Sequence, residues 1–189
     1  MALGILGGVF DPPHIGHLAL ARAALAGLGL DELLVLVVAD PGHKRATTAA
    51  ETRLELARLA FQDVPEAAVE VDRHARTVDS LEERLPDDAY FILGADELAS
   101  FESWKSPQRV LELVRVAVAM RPGVSRAAVQ GVRERLGAGD RIVEFEMPLV
   151  AISSSEIRAR VARGEPVADD VPAAVADAIA RLSLYTSAE

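Results

Sequence analysis

Short apolar runs that return along the chain, each followed by a stretch of helical spacing, constrain the fold more than any other feature. Leu33 to Ala39, Tyr90 to Leu93 and Val116 to Met120 are unbroken, the pattern of strands buried on both faces. Leu3-Gly4-Ile5-Leu6 opens the series, Val69 and Val71 alternate as a weaker strand, and Arg141 to Phe145 reads as extended. Helical spacing covers Ile15 to about Ala26, Thr48 to about Phe61, Thr77 to Leu85, a short stretch after Gly94, a helix opening at Ser106-Pro107, Ser125 to Leu136, Ile152 to about Arg163, and Pro172 to Leu182. Thr48-Ala-Ala-Glu51 has the form of a capping box, and Pro86 stops the helix before it. Strands and helices in alternation predict an α/β fold, a doubly wound, mostly parallel sheet with helices on both faces and binding loops at the C-terminal strand ends.

A chain of 189 residues without linker, repeat or low-complexity tract fits one domain over residues 1–189. Its net charge of −9 argues against a nucleic-acid polymer or an anionic membrane as partner, since both select a basic face. No cysteine is present, which removes thiol chemistry and Cys-based metal sites and fits a reducing compartment. Leu3 to Leu6 is read as strand and not as a secretion signal, no run reaches transmembrane length, and the cytoplasm is the expected location. The sequence leaves open a homo-oligomer. Eighteen of the twenty basic residues are Arg, and the two lysines, Lys44 and Lys105, both fall in loops beside other marked residues.

Chemistry concentrates in Gly7-Gly8-Val9-Phe10-Asp11-Pro12-Pro13-His14-Ile15-Gly16-His17, directly after the first strand. Two glycines at a strand end let the backbone approach a ligand, and the prolines hold the connection stiff until a helix begins. His14 and His17 then share one face of the first helical turn, beside unpaired backbone N–H groups and the positive end of the helix dipole. Such a pair suits zinc, a backbone-satisfied core position, or an anionic oxygen. Zinc would need further ligands, and the chain offers only His43 and His74 besides. No Walker lysine follows and no Gly-x-Gly-x-x-Gly is present, so the motif suits phosphate handling without a P-loop.

In this spelling the motif resembles the signature of the nucleotidylyltransferase superfamily, and most closely that of the bacterial nicotinate mononucleotide adenylyltransferases, which join the mononucleotide to the AMP part of ATP. The resemblance covers nearly the whole chain. It implies a Rossmann-like fold, with ATP and nicotinate mononucleotide as partners and Mg2+ bridging the ATP phosphates without a carboxylate cage in the sequence. Ile152-Ser153-Ser154-Ser155-Glu156-Ile157-Arg158 resembles the second superfamily signature, so the helices from about residue 153 are expected to complete the ATP site. Departures are Val9 where Thr is common, Gly42 for Pro in the Asp40-Pro-Gly-His43-Lys44 element, and Ser155 for Thr.

Carried over, the resemblance makes His14, His17, Lys44 and Arg158 the catalytic set. ATP contacts fall to Gly7, Gly8, Val9, Phe10, His17, Gly94, Asp96, Arg121, Ile152, Ser153 and Ser154, with Asp96 on a ribose. Acceptor contacts fall to Asp11, Lys44, Thr77, Trp104 and Lys105, with Trp104 expected as an exposed ring that stacks on the pyridine. No residue is assigned as a metal ligand. Phosphopantetheine adenylyl transfer is the neighbouring alternative, although Gly94-Ala95-Asp96 and Trp104-Lys105 have no evident use there. From another class, a nucleotide-sensing module would hold ATP without turnover.

Overall fold

The computed structural model describes residues 1–41 and 46–186, so Gly42, His43 and Lys44 lie outside the described residues. In chain order the elements are β1 (Leu3–Gly8), α1 (Ile15–Leu28), β2 (Glu32–Val38), α2 (Ala50–Phe61), β3 (Ala67–Asp72), α3 (Thr77–Arg84), β4 (Ala89–Gly94), α4 (Ala95–Phe101), α5 (Pro107–Leu113), β5 (Arg115–Met120), α6 (Arg126–Arg135), β6 (Ile142–Glu146), α7 (Ser154–Ala162) and α8 (Ala173–Arg181). The strands form one sheet in the order β3-β2-β1-β4-β5-β6, every pair parallel. No described helix is long and apolar enough to cross a membrane.

Alternation along the strands divides the core. Leu33, Val35 and Val37 of β2, Ile92 of β4 and Ala117 and Ala119 of β5 face one layer, built with α1, α2, α7 and α8. Ile5, Leu36, Phe91, Leu93, Val116 and Val118 face the other, built with α3, α4, α5 and α6. Successive strand residues point to opposite faces, so a strand covered on both sides must be apolar throughout, which is why these runs are unbroken.

Chain order reverses between β1 and β4. β1 stays paired with β2 as far as Gly8↔Val37, but with β4 only from Leu3↔Ala89 to Ile5↔Phe91. Beyond Ile5 the two strands part, and each carries on along its outer neighbour, β4 to Gly94↔Ala119. The C-terminal ends therefore open into a crevice at the switch point, where ligands bind in sheets of this type.

Local chemistry departs from expectation in two helix starts. The capping box at Thr48 does not form: Ala49 is the N-cap of α2 and no side chain caps it. Ser106 stands at the N-cap of α5 with Pro107 following, but its backbone is left-handed at φ 51° and its hydroxyl caps nothing. By contrast Ser153 caps α7, its Oγ accepting from the Glu156 N–H at 3.2 Å, and α1 runs on to Leu28, closed by Gly29 at φ 63°.

Candidate active site

The loop from β1 to α1 is shaped by the protein's own rings. Phe10 takes a left-handed φ of 52° and is 1% exposed, its ring 4.9 Å from that of His17 and edge-on to Phe61 at 6.1 Å. A strained non-glycine conformation costs about 1–3 kcal/mol, and burying a phenylalanine side chain returns about the same. Gly8 is the condition for this packing, because a Cβ there would stand 2.9 Å from the Phe10 ring. Gly16 makes room in the same way in the first turn of α1: its Cβ would meet the His14 ring at 2.9 Å. The space where a Cβ would stand at these two glycines is filled by the protein's own rings.

His14 is the N-cap of α1, extended at φ −144°. Its Nδ1 accepts the Gly16 N–H at 3.2 Å, and His17 Nδ1 accepts the His14 N–H at 3.1 Å. The two rings stack with centroids 3.8 Å apart. A neutral imidazole whose Nδ1 accepts carries its proton on Nε2, so both rings are set as Nε2–H donors beside the helix N-terminus. The first-turn N–H groups expected to be unpaired are taken up within the protein, that of Ile15 by the Asp170 carbonyl and that of Gly16 by His14 Nδ1, so what this turn can offer an anion is the two Nε2–H groups and the positive end of the helix dipole.

Burial holds His14 in this neutral form. Desolvation pushes its pKa down to about 4, outweighing the attraction of the Asp170 carboxylate. The folded state thus binds fewer protons than the unfolded chain, whose imidazole titrates near ~6.5. The resulting penalty is absent above that value, grows as pH falls from ~6.5 toward 4, and reaches about 3 kcal/mol for the whole shift. Urea titrations of wild type and His14→Asn at pH 7 and pH 4.5 are expected to show a distinctly shallower acid loss in the variant. Parallel losses would mean that His14 is not the group responsible.

Further side chains clasp the same loop. Arg158 Nη1 donates to the Asp11 carbonyl at 2.7 Å and Ser154 Oγ to the Pro12 carbonyl at 2.8 Å. The Asp170 carbonyl accepts the Ile15 N–H at 3.0 Å, and Ile152 lies against Gly16, its Cγ2 3.4 Å from where a Cβ would stand. The second signature motif and the first, at opposite ends of the chain, thus share one site.

Asp11 departs from its expected role. It is 2% exposed, and its carboxylate accepts the Thr47 N–H at 2.6 Å, Thr47 Oγ1 at 2.9 Å, Tyr185 Oη at 2.7 Å and Thr48 Oγ1. Burial raises its pKa, but these donors outweigh that and hold it below the ordinary carboxylate range. A carboxylate so engaged faces the protein and not the acceptor.

Arg53 is the buried tie of this loop region that sequence reasoning misses. Buried at 1% exposure, it donates from Nη1 to the carbonyls of Val9 and Val38 at 2.9 and 2.7 Å, from Nη2 to Ala39 at 2.9 Å, and from Nε to Thr48 at 3.0 Å. One guanidinium therefore ties the end of β1, the end of β2 and the approach to α2. The available signal is an arginine on the buried stripe it shares with Leu56, Ala57 and Ala60.

Across the crevice stands a second group. Phe91 of β4 lies between Gly7, whose Cβ would be 3.4 Å from its ring, and Trp104, edge-on at 6.1 Å. Trp104 is half-buried against Phe91 and Phe101 and not the exposed ring expected. Lys105 pairs with Asp79 at 2.6 Å, which fastens the loop to the first turn of α3, where Thr77 begins. Asp96, in the first turn of α4 after Gly94, pairs with Arg121. Both line a cleft of about 760 Å³ between α4 and α6 that extends to Leu149 and Ala151.

This chain matches the model of the cytidylyltransferase-like family over residues 5–160. It is 36% identical to a protein of Exiguobacterium sibiricum named a probable nicotinate-nucleotide adenylyltransferase, with 99% of this chain and 100% of the relative covered. A protein of Bordetella petrii with the same name is 41% identical, covering 97% and 98%. Among solved structures, Plasmodium falciparum nicotinic acid mononucleotide adenylyltransferase complexed with NaAD superposes with a TM-score of 0.76 at 16% identity, covering 99% of this chain and 98% of that one.

Proposed function

Because the chain belongs to the cytidylyltransferase-like family and is similar over almost its whole length to nicotinate-nucleotide adenylyltransferases, we infer that it is an enzyme of that activity. It transfers the adenylyl group of ATP to the phosphate of nicotinate mononucleotide, giving nicotinate adenine dinucleotide and pyrophosphate, a step of NAD biosynthesis. The strongest geometric support is the imidazole pair at the start of α1, both Nδ1 atoms held by backbone N–H groups, beside the opening between β1 and β4.

An acceptor phosphate oxygen is anionic at neutral pH and needs no general base. It attacks the α-phosphorus of ATP in line; the new P–O bond forms as the bond to the bridging oxygen breaks, and the electron pair leaves with pyrophosphate. Catalysis then consists of holding two anions in line and stabilising charge on the phosphoryl oxygens. His14 and His17 donate to those oxygens through Nε2, aided by the N-terminal dipole of α1 and by Arg158. Lys44, outside the described residues, keeps its phosphate role on the strength of the motif. The backbone from Gly7 to Phe10, Ile152, Ser153 and Ser154 receive ATP, with Gly94, Asp96 and Arg121 on its nucleoside side. Thr77, Trp104 and Lys105 border the acceptor.

A divalent ion, magnesium in our reading, would come with ATP and neutralise charge on its phosphates. Among the described residues no group of three His, Cys, Asp or Glu is placed to hold it, and Asp11 and Asp96 are already engaged, so no step is assigned to it here. A cytoplasmic setting goes with a reaction that draws on ATP.

Pyrophosphate release with ATP and a panel of acceptors tests this reading. Nicotinate mononucleotide is expected to be the fastest, the amide mononucleotide slower by about two powers of ten or more because donors built for a carboxylate are left mismatched, and phosphopantetheine inactive. Release with phosphopantetheine alone, or with no acceptor, would overturn it.

A further inference from the structure

Four donors converge on one buried carboxylate, and they come from two places far apart in the chain. Thr47 and Thr48 precede α2, while Tyr185 follows α8, within a few residues of the end of the described chain. Tyr185 Oη donates to Asp11 Oδ1, Thr48 Oγ1 donates to the same oxygen, and the two hydroxyls lie 3.1 Å apart. Resting on the adenylyl-transfer reading, we propose that Tyr185 and Thr48 are positioning residues for the reaction, acting through Asp11 to set the loop that carries His14 and His17.

The loop has little regular structure to hold it in place. Its backbone leaves β1 at Gly8, turns through the left-handed Phe10, and joins the regular hydrogen bonding of α1 only from His14 onward. On its other side Arg158 and Ser154 grip carbonyl oxygens, of Asp11 and Pro12. Asp11 is therefore held by one group of residues through its side chain and by another through its backbone, three positions before the N-cap imidazole. Any rotation of the Asp11 peptide is passed through Pro12 and Pro13, which have little freedom in φ, to His14 and, through the His14 N–H, to Nδ1 of His17. Near-attack geometry tolerates little of this: a displacement of about 1 Å can cost a factor of about 100 in rate.

Buried polar networks of this kind position well only when every member is satisfied. Removing one hydroxyl leaves Oδ1 short of a donor, and the carboxylate then has reason to swing toward the solvent of the crevice. Tyr185 and Thr48 serve one acceptor, so their losses should not multiply.

The test uses Tyr185→Phe, Thr48→Val, the double variant, and Thr48→Ser, which keeps the hydroxyl. Expected are a kcat lower by about five- to fiftyfold in Tyr185→Phe and Thr48→Val with KM for ATP within about threefold, a double variant close to the worse single one, and near-complete recovery in Thr48→Ser. In the proteins without substrate, the ring resonances of His14 and His17 should move in Tyr185→Phe, while those of His74, paired with Asp72 and Glu83, should not. A kcat within twofold of wild type, multiplicative losses, or unmoved His14 and His17 resonances would overturn the proposal. Failure of the wild type itself to release pyrophosphate would instead sink the functional reading, and the resonance comparison would still judge the positioning role.

Discussion

His17→Ala lowers turnover by roughly two to three powers of ten while ATP affinity changes much less, the result expected when a donor that acts mainly in the transition state is removed. The geometry gives the reason. His17 Nδ1 is committed to the His14 N–H, and its ring is wedged between those of His14 and Phe10, so Nε2 has one direction in which to donate. A pre-set donor loses little by reorganising as charge develops on the phosphoryl oxygens. The positive end of the α1 dipole and the Arg158 guanidinium remain in the variant, so ground-state binding of the triphosphate is expected to suffer less. Single-turnover rates with saturating ATP and nicotinate mononucleotide measure the effect. Turnover within about tenfold of wild type would move the chemistry away from this turn.

Arg53→Met costs about 3–5 kcal/mol of stability, the second large effect expected. Arg53 satisfies the carbonyls of Val9, Val38, Ala39 and Thr48 at once, and methionine fills much of the volume without a donor. Each carbonyl left dry and unpaired costs about 1–3 kcal/mol, against a total stability of about 5–15 kcal/mol for a domain. Desolvation disfavours the guanidinium charge, and the nearby Asp11 carboxylate offsets some of that. Arg53→Lys should recover only a fraction, since a single ammonium cannot span carbonyls at the ends of two strands. Urea midpoints of the variants decide it: a loss under about 1 kcal/mol would mean that water reaches these carbonyls and that Arg53 is not the tie between β1 and β2.

Much of the architecture is legible in the sequence because it depends on local, periodic causes. A strand covered on both faces has to be apolar at every position, and Leu33 to Ala39 and Val116 to Met120 announce this directly. The imidazole pair is also legible, since the spacing of His14 and His17 places them on one turn of any helix that begins there. Ser153 as a cap belongs to the same class, for a cap is a bond between neighbours in sequence.

What only the tertiary structure decided concerns groups whose partners are remote. Thr48 has the look of a capping residue, yet its hydroxyl donates to Asp11, because a buried carboxylate left short of a donor costs more than a helix-end N–H that water can satisfy. Asp11 has the look of a substrate contact until Tyr185 arrives from the other end of the chain to complete its shell. Gly8 and Gly16 announce a need for space, but a glycine does not say what fills it, and here the rings of Phe10 and His14 do. Trp104 reads as a loop residue; Phe91 and Phe101, set on β4 and α4, half-bury it. Sequence by itself determined the period of each element and the residues within one turn of each other. The fold decided which buried donor meets which acceptor, because that pairing depends on distances between elements, and the chain order of residues carries no direct record of them.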